Sequence, residues 1–286
     1  MKKFLFLNLL FAIYITVSAQ IPTGYYKYAD ALTGSALKTT LYDVIKGHTQ
    51  YPYTSSSTDT WDILKQTDKD PANPLNVIMI YSGISIEAAQ EWNSGAGWTR
   101  EHVWSKSHGF PPASGQDPEP GAGTDCHHLR PEKPNVNSAK SDRDFDNCQG
   151  LPGAVLANGT TDCWKITDVW DPRDEVKGDV ARMMFYMATR YRGENGEPDL
   201  ALIETIPSSP GYDPFYAKLS TLLLWNEQDP IDAFEINRNE VIYSFQHNRN
   251  PYIDHPEWVQ RIWGVYPDIY PESGGAFRAV CPTDWS

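Results

Sequence analysis

The sequence contains no uninterrupted apolar run of the ~18 residues that a membrane-spanning helix requires. It is also poor in positive charge: 24 Lys and Arg residues stand against 37 Asp and Glu residues, and the formal net charge at pH 7 is −13. These absences exclude a membrane-spanning protein and a basic, histone-like nucleic-acid binder. An acidic enzyme that acts on nucleic acids is not excluded. With 40% hydrophobic and 21% charged residues, the chain has the composition of a globular protein.

Cysteine is also scarce. The chain has four cysteines, and no two of them have the CxxC spacing of a zinc site. In an exported protein an even number predicts two disulfides, for which the sequence leaves three pairings open. The Pro, Gly and Asn residues between Cys148 and Cys163 make closure of that loop easy and favour this pair, which leaves Cys126 with Cys281.

The first 19 residues have the pattern of a secretory signal peptide. Two lysines follow Met1, residues 4–17 are apolar apart from Asn8 and Thr16, and Val17-Ser18-Ala19 is typical of a cleavage site. We therefore expect a signal peptide over residues 1–19, a mature chain that begins at Gln20, and a secreted or periplasmic protein without a membrane anchor.

The remaining chain, residues 20–286, has no internal repeat and no Gly/Ser-rich linker, which predicts one domain. Apolar periodicity predicts mostly helical structure around a small sheet, an α+β fold. Helices are expected in residues 24–47, after Asp59, near Val136, and over 178–192, 215–225, 232–247 and 256–263. The helix over 178–192 is expected to bury one face. Strands are expected over 76–82 and 98–104, and residues 109–124 are a Pro- and Gly-rich loop.

Chemistry-bearing residues are concentrated in one segment. Four of the seven histidines lie between His102 and His128. This segment contains Arg100-Glu101-His102-Val103-Trp104, then Asp125-Cys126-His127-His128-Leu129-Arg130-Pro131, and Asn135-Val136-Asn137-Ser138 follows. Carboxylate, imidazole and amide groups are what a hard divalent cation and an activated water require. The segment therefore predicts a metal-dependent hydrolytic site.

These three runs resemble the signature of the bacterial endonuclease I family, and residues 175–187 and 248–257 resemble two later stretches of that family. The resemblance implies a secreted or periplasmic, non-specific endonuclease. Its core would be a ββα-metal (His-Me finger) unit over about residues 76–147, carried on a small antiparallel sheet. The products implied are 5′-phosphate and 3′-hydroxyl ends on DNA, and RNA is an expected second substrate.

The resemblance also implies the roles of three residues. His102 matches the general base, while Glu101 and Asn137 match the ligands of one divalent metal ion. Mg²⁺ is the expected ion, and Mn²⁺ and Ca²⁺ are left open. Because Glu101 and His102 are adjacent, a regular strand would direct them to opposite faces, so the strand must end or twist here.

For other residues of the chain the sequence leaves the role open. Asp125 and His127 either orient the base and a metal-bound water or form structural hydrogen bonds only. The loop after the base, residues 103–124, has no arginine to stabilise the transition state, which leaves Arg130 or Arg143 as substitutes. Arg182 is expected to hold its helix to the core through an ion pair. At the position of His128 many members of the family have Asn, so the resemblance implies no role for His128.

The partner expected from these features is nucleic acid, bound without sequence preference by a monomer. Residues 100–143 carry six basic and six acidic side chains, so this segment is less negative than the rest of the chain. Two alternatives remain open. Another secreted metal-dependent phosphodiesterase or hydrolase would fit the histidines, although HxxxH and HExxH spacings are absent. A polysaccharide-binding module would use exposed aromatic residues, but here their apolar periodicity predicts core packing.

Overall fold

The computed structural model describes residues 20–110, 118–157, 162–207 and 213–264, and these residues form an α+β structure, as expected. The described helices are α1 Gly34–Ile45, α2 Thr60–Thr67, α3 Pro134–Lys140, α4 Lys177–Arg190, α5 Leu219–Gln228, α6 Ala233–Gln246, α7 Pro251–Asp254 and α8 Glu257–Trp263. The described strands are β1 Asn76–Ile78, β2 Ser85–Glu87, β3 Thr99–His102, β4 Leu129–Glu132, β5 Asp144–Phe145, β6 Val155–Leu156, β7 Trp164–Lys165, β8 Val169–Asp171, β9 Ala201–Ile203 and β10 Phe215–Lys218.

Helix α4 lies in the centre of the main hydrophobic core, where α1, α5 and α7 pack against it. The apolar face that the sequence predicts is buried, as expected, but every other residue of α4 after Lys177 is buried as well. Its polar residues tolerate this burial because they are paired. Arg182 makes a two-pronged ion pair with Glu235 of α6, at 2.6 and 2.7 Å, which confirms the expected structural role of Arg182.

Several predicted elements are shorter or different in the structure. The helix expected over residues 24–47 is confined to Gly34–Ile45, and the strand expected over residues 98–104 is confined to Thr99–His102. The strand expected over residues 76–82 ends at Ile78, because the amides of Tyr81 and Ser82 donate to the carboxylate of Glu132 instead of a strand partner. The helix expected from Phe215 begins only at Leu219. The four residues before it form β10, which pairs in parallel with β9.

Strands β3 and β4 form an antiparallel pair that leads directly into α3. Pro134 occupies the first turn of α3, where its missing amide hydrogen costs nothing. The helix packs on β3 through two contacts. The Asn137 side-chain amide donates to the carbonyl oxygen of Arg100 at 3.3 Å, and Lys140 Nζ donates to the carbonyl oxygen of Val103 at 3.4 Å. This β3–β4–α3 unit carries the residues that the sequence singled out.

Among the described residues, the aromatic side chains lie mainly in the core, as their periodicity predicted. The indole rings of five tryptophans in the described residues are fully buried, namely Trp98, Trp104, Trp170, Trp225 and Trp258. Buried indoles cannot stack on a sugar, so these residues give no support to a polysaccharide-binding surface.

The expected Cys148–Cys163 disulfide is wrong. Cys148 is a buried free thiol, with its backbone amide bonded to Asp171, whereas Cys163 directs its Sγ to the carbonyl oxygen of Tyr81 at 3.4 Å. The two sulfurs therefore occupy different surroundings. Cys126 is also a buried thiol, and its expected partner Cys281 lies outside the described residues, as does the predicted signal peptide over residues 1–19. Within the described ranges, none of the helices is long and apolar enough to cross a membrane.

Candidate active site

His102 is the last residue of β3 and is 8% exposed. Its Nε2 atom lies 2.8 Å from the carbonyl oxygen of Gly123, in the short 3-10 turn Ala122–Thr124. Because a carbonyl oxygen can only accept a hydrogen bond, the imidazole donates from Nε2. In the neutral ring the lone pair is then on Nδ1, and Nδ1 is the atom that can take a proton.

Three aromatic rings surround His102. The ring of Tyr53 is stacked on the imidazole, with 5.6 Å between centroids and 27° between planes. Phe110 approaches edge-on, and the centroid of His128 is also 5.6 Å away. Burial, and then the nearby charges of His128 and Lys106, lower the pKa of His102 well below its usual value. The imidazole is therefore neutral at pH 7, the form that a general base needs.

Glu101 precedes His102 and is 2% exposed. Its carboxylate accepts a hydrogen bond from the Tyr81 hydroxyl at 3.1 Å and lies 3.7 Å from Lys140 Nζ. Burial raises the pKa of Glu101 to about 7, although the charge of Lys140 and the Tyr81 hydroxyl oppose this shift. Lys140 is itself held by the hydroxyl oxygen of Tyr216 at 2.5 Å. The carboxylate thus has a fixed position in a buried setting where its negative charge is only partly compensated.

Asn137 lies on α3 and reaches across to β3. Its Nδ2 donates to the carbonyl oxygen of Arg100, the residue before Glu101. This bond directs the amide nitrogen to the strand and leaves Oδ1 as the atom of Asn137 that can bind a cation. The amide of Asn137 and the carboxylate of Glu101 therefore come from adjacent elements of the β3–β4–α3 unit.

The strand ends at His102, as the sequence required. Adjacent side chains still have different surroundings: Glu101 contacts Tyr81 and Lys140, whereas His102 contacts Tyr53 and Gly123. Among the described residues there is no group of three or more His, Cys, Asp and Glu side chains that could hold a metal ion. A cation beside Glu101 would depend on this one carboxylate and the amide oxygen of Asn137.

Asp125 is buried, and its carboxylate accepts hydrogen bonds from several side chains. Its carboxylate accepts from the hydroxyls of Tyr186 and Tyr191 at 2.8 and 2.9 Å, and from Gln246 Nε2 at 3.0 Å. Burial alone would raise the pKa of Asp125, but the charges of His48 and His127, together with the hydrogen bonds from Gln246 and the His127 backbone amide, outweigh it and hold the pKa below its usual range. These contacts are those of a structural anchor that joins α4 and α6 to the segment before β4.

His127 and Arg130 also face the interior. His127 Nε2 lies 3.3 Å from the carbonyl oxygen of Asn248, and Arg130 is ion-paired with Asp68 and Asp179. The other candidate arginine, Arg143, donates to the carbonyl oxygens of Ile166 and Ala139 at 2.9 Å. Arg130 is therefore held by two carboxylates, whereas Arg143 is half-buried and donates to backbone carbonyl oxygens. Lys106, by contrast, is exposed and close enough to influence the pKa of His102.

Sequence reasoning missed four contributors to the site: Tyr53, Tyr81, Gly123 and Lys140. Lys140 lies one helical turn after Asn137, so the spacing on α3 could have indicated it. The other three come from distant parts of the chain, and no periodicity in the sequence connects them with His102 or Glu101.

Comparison with known proteins shows the class to which this chain belongs, that of the enzymes that hydrolyse nucleic acids. The chain belongs to the Endonuclease I family, whose profile matches residues 33–257. This confirms the resemblance of the three motifs.

Three relatives illustrate the range of the family. A protein named "Extracellular ribonuclease" from Bacillus amyloliquefaciens is 50% identical over 251 residues, which are 87% of this chain and 81% of that protein. A protein of the same name from Bacillus subtilis (strain 168) is 48% identical over 240 residues, or 84% and 78% of the two chains. An "Extracellular deoxyribonuclease" from Aeromonas hydrophila is 26% identical over 130 residues, or 46% and 48%.

Proposed function

We propose that the protein is an exported, sequence-non-specific endonuclease in which His102 activates water and one divalent cation is bound by Glu101 and Asn137. The observation that carries this proposal is the hydrogen bond from His102 Nε2 to Gly123, which leaves Nδ1 of a neutral imidazole as the proton acceptor. The secreted or periplasmic location expected from the sequence agrees with the names of the relatives.

Hydrolysis of a phosphodiester needs an in-line water and a base that removes its proton. In the proposed reaction, His102 Nδ1 takes a proton from water as the water oxygen attacks phosphorus. The bond from phosphorus to the 3′ oxygen then breaks, that oxygen takes a proton from solvent and leaves as a hydroxyl, and the His102 imidazolium returns its proton to solvent. The phosphate stays on the 5′ side of the next nucleotide, so the products are 5′-phosphate and 3′-hydroxyl ends.

The residues of the site fit a hard divalent cation. Glu101 offers a carboxylate whose buried charge is incompletely compensated, and Asn137 offers an amide oxygen. Both are the oxygen ligands that Mg²⁺ prefers, and two protein ligands leave positions for water and a phosphate oxygen. Such an ion would neutralise the charge that develops on the phosphate and on the leaving oxygen. We propose Mg²⁺, with Mn²⁺ and Ca²⁺ as the ions to compare with it.

We further propose that RNA and DNA are both substrates. The two Bacillus relatives are named ribonucleases and the Aeromonas relative a deoxyribonuclease. A base that activates water and a cation that contacts phosphate require no 2′-hydroxyl, so this chemistry does not discriminate between the two sugars. Contacts to phosphate also carry no base information, which supports cleavage without sequence preference.

The ends of the RNA products test this reaction most clearly. A purified chain that begins at Gln20 should cut end-labelled RNA and DNA oligonucleotides into fragments with 5′-phosphate and 3′-hydroxyl ends, and EDTA should stop both reactions. RNA cleavage by its own 2′-hydroxyl would instead produce 2′,3′-cyclic phosphates. Cyclic phosphate products, or a rate that EDTA leaves unchanged, would contradict the proposal.

A further inference from the structure

We propose that Tyr53 is a positioning residue that fixes the plane of the His102 imidazole. This inference rests on the proposed role of His102 as the base. Tyr53 is half-buried and lies in the connection between α1 and α2, far from His102 in sequence. Its ring nevertheless stacks on the imidazole, with 5.6 Å between centroids and an interplanar angle of 27°.

The need for such a residue follows from the other contacts of His102. Its hydrogen bond to Gly123 fixes the position of Nε2 but permits the ring to rotate about that bond. Rotation would carry the Nδ1 lone pair away from the water that it must deprotonate. A flat ring against the imidazole face restricts this rotation, since stacking favours nearly parallel planes.

Tyr53 is itself held by Arg100, which is two residues before His102 on β3. Side chains at alternate strand positions lie on the same face, so the Tyr53 ring contacts both. The Arg100 guanidinium lies 3.3 Å from the centroid of Tyr53 and 4.0 Å from that of Trp61. The same guanidinium donates to the carbonyl oxygen of Tyr53, and the hydroxyl of Thr60 donates to that oxygen at 2.9 Å.

The side chains of Trp61, Arg100 and Tyr53 thus form one stack that ends on the base. Because both the backbone and the side chain of Tyr53 are fixed, its ring can restrict the His102 imidazole more closely than a mobile surface residue could. Catalysis is sensitive to this kind of alignment, because a displacement of about 1 Å can lower a rate about a hundred-fold.

The test compares Tyr53→Leu, which removes the flat face, with Tyr53→Phe, which keeps it. On an RNA oligonucleotide, Tyr53→Leu should lower kcat about ten-fold with KM changed less than two-fold, because the imidazole is still present but misaligned. Tyr53→Phe should restore most of the lost rate. Tyr51→Leu is the matched control: Tyr51 packs on Phe245 instead of His102, and this variant should keep the unmodified kcat.

A double variant separates positioning from general stability. In a His102→Ala background, Tyr53→Leu should cause no further loss of rate, because the residue that it positions is absent. The same further loss in both backgrounds would overturn the proposal, and so would a rise in KM at unchanged kcat, which would make Tyr53 a substrate contact.

Two further measurements distinguish a loss of positioning from a loss of folding and from a failure of the proposed function. If Tyr53→Leu is unfolded at the assay temperature by circular dichroism, Tyr53→Met has similar bulk without a flat face and is expected to show the same loss of kcat. Full activity of His102→Ala alone would instead remove the proposed function, and it would do so whatever the Tyr53 variants show.

Discussion

The hydrogen bond between His102 and Gly123 decides which imidazole nitrogen is available for the proposed role of general base. A second histidine repeats this arrangement: His128 Nε2 lies 2.7 Å from the carbonyl oxygen of Ala122, the residue before Gly123. The turn Ala122–Thr124 therefore holds two neighbouring imidazoles through consecutive carbonyl groups. The sequence shows a cluster of histidines, but it cannot show which nitrogens are bonded, because the acceptors are backbone atoms of a Gly-rich loop.

His128 makes the stability of the protein depend on pH. Burial lowers the pKa of His128 to about 4, below the ~6.5 of an exposed histidine in the unfolded chain. Between these values the unfolded state binds a proton that the folded state does not, so stability falls as pH falls. The stability that the neutral His128 contributes to the folded state is fully present above pH ~6.5 and is lost progressively as the pH falls toward ~4.

We therefore expect His128→Asn to have a shallower loss of stability in acid than the unmodified chain. The difference in unfolding free energy between the two proteins should change by about 3 kcal/mol between pH 7 and pH 4, because burial lowers the pKa of His128 from ~6.5 to about 4. Urea titrations at several pH values measure this difference, and any cavity left by Asn cancels because it does not depend on pH. Parallel pH curves for both proteins would show that His128 binds its proton equally well in the folded and unfolded states, which would contradict the lowered pKa.

At the scale of elements, the β3–β4–α3 unit places Asn137 against Arg100, the residue directly before Glu101, although Glu101 and Asn137 are 36 positions apart in the sequence. The β-branched and aromatic residues around His102 predicted β3, and Pro134 marks the start of α3. The contribution of the segment around Tyr81 could not be predicted in the same way. The sequence indicates a strand there, but Tyr81 acts from beyond the strand end, where a carboxylate of β4 fixes the backbone.

Helix α3 offers a matched pair of variants. Asn137→Ala should weaken the binding of Mg²⁺ or Mn²⁺, measured by calorimetry, and a high metal concentration should recover part of the lost rate, because mass action refills a weakened site. Asn135→Ala, an exposed position on the same helix, should change neither quantity. Equal effects of both substitutions would mean that the helix, and not the amide of Asn137, is what matters.

At the scale of the whole molecule, a buried helix that carries several charged residues, α4, runs through the apolar core. Apolar periodicity correctly located α4, but it predicted one buried face, because a sequence pattern cannot reveal that charged residues have buried partners elsewhere. Glu235 supplies such a partner for Arg182 from a helix more than 50 residues later. Long-range pairs of this kind, like the stack on His102, become visible only when the chain is folded.

The Arg182–Glu235 pair joins α4 to α6, and breaking it should destabilise the whole molecule. Arg182→Met should lower the free energy of unfolding by about 3–5 kcal/mol, because it leaves the Glu235 carboxylate buried without a counter-charge. The double variant Arg182→Met/Glu235→Met should regain part of that loss. Chemical denaturation measures both, and the folded fraction should retain its nuclease rate. A double variant less stable than Arg182→Met would contradict the ion-pair explanation.

The most direct measurement of the central claim compares His102→Ala with the unmodified protein at increasing metal concentration. As the general base, His102 should account for about 10²–10⁴-fold in kcat, and its loss should not be recovered by added metal. Binding of Mn²⁺ to His102→Ala, measured by calorimetry, should match the unmodified protein, since Glu101 and Asn137 are intact. If added metal restores the rate of His102→Ala, or if this variant binds Mn²⁺ more weakly, His102 is a ligand and the proposed mechanism is wrong.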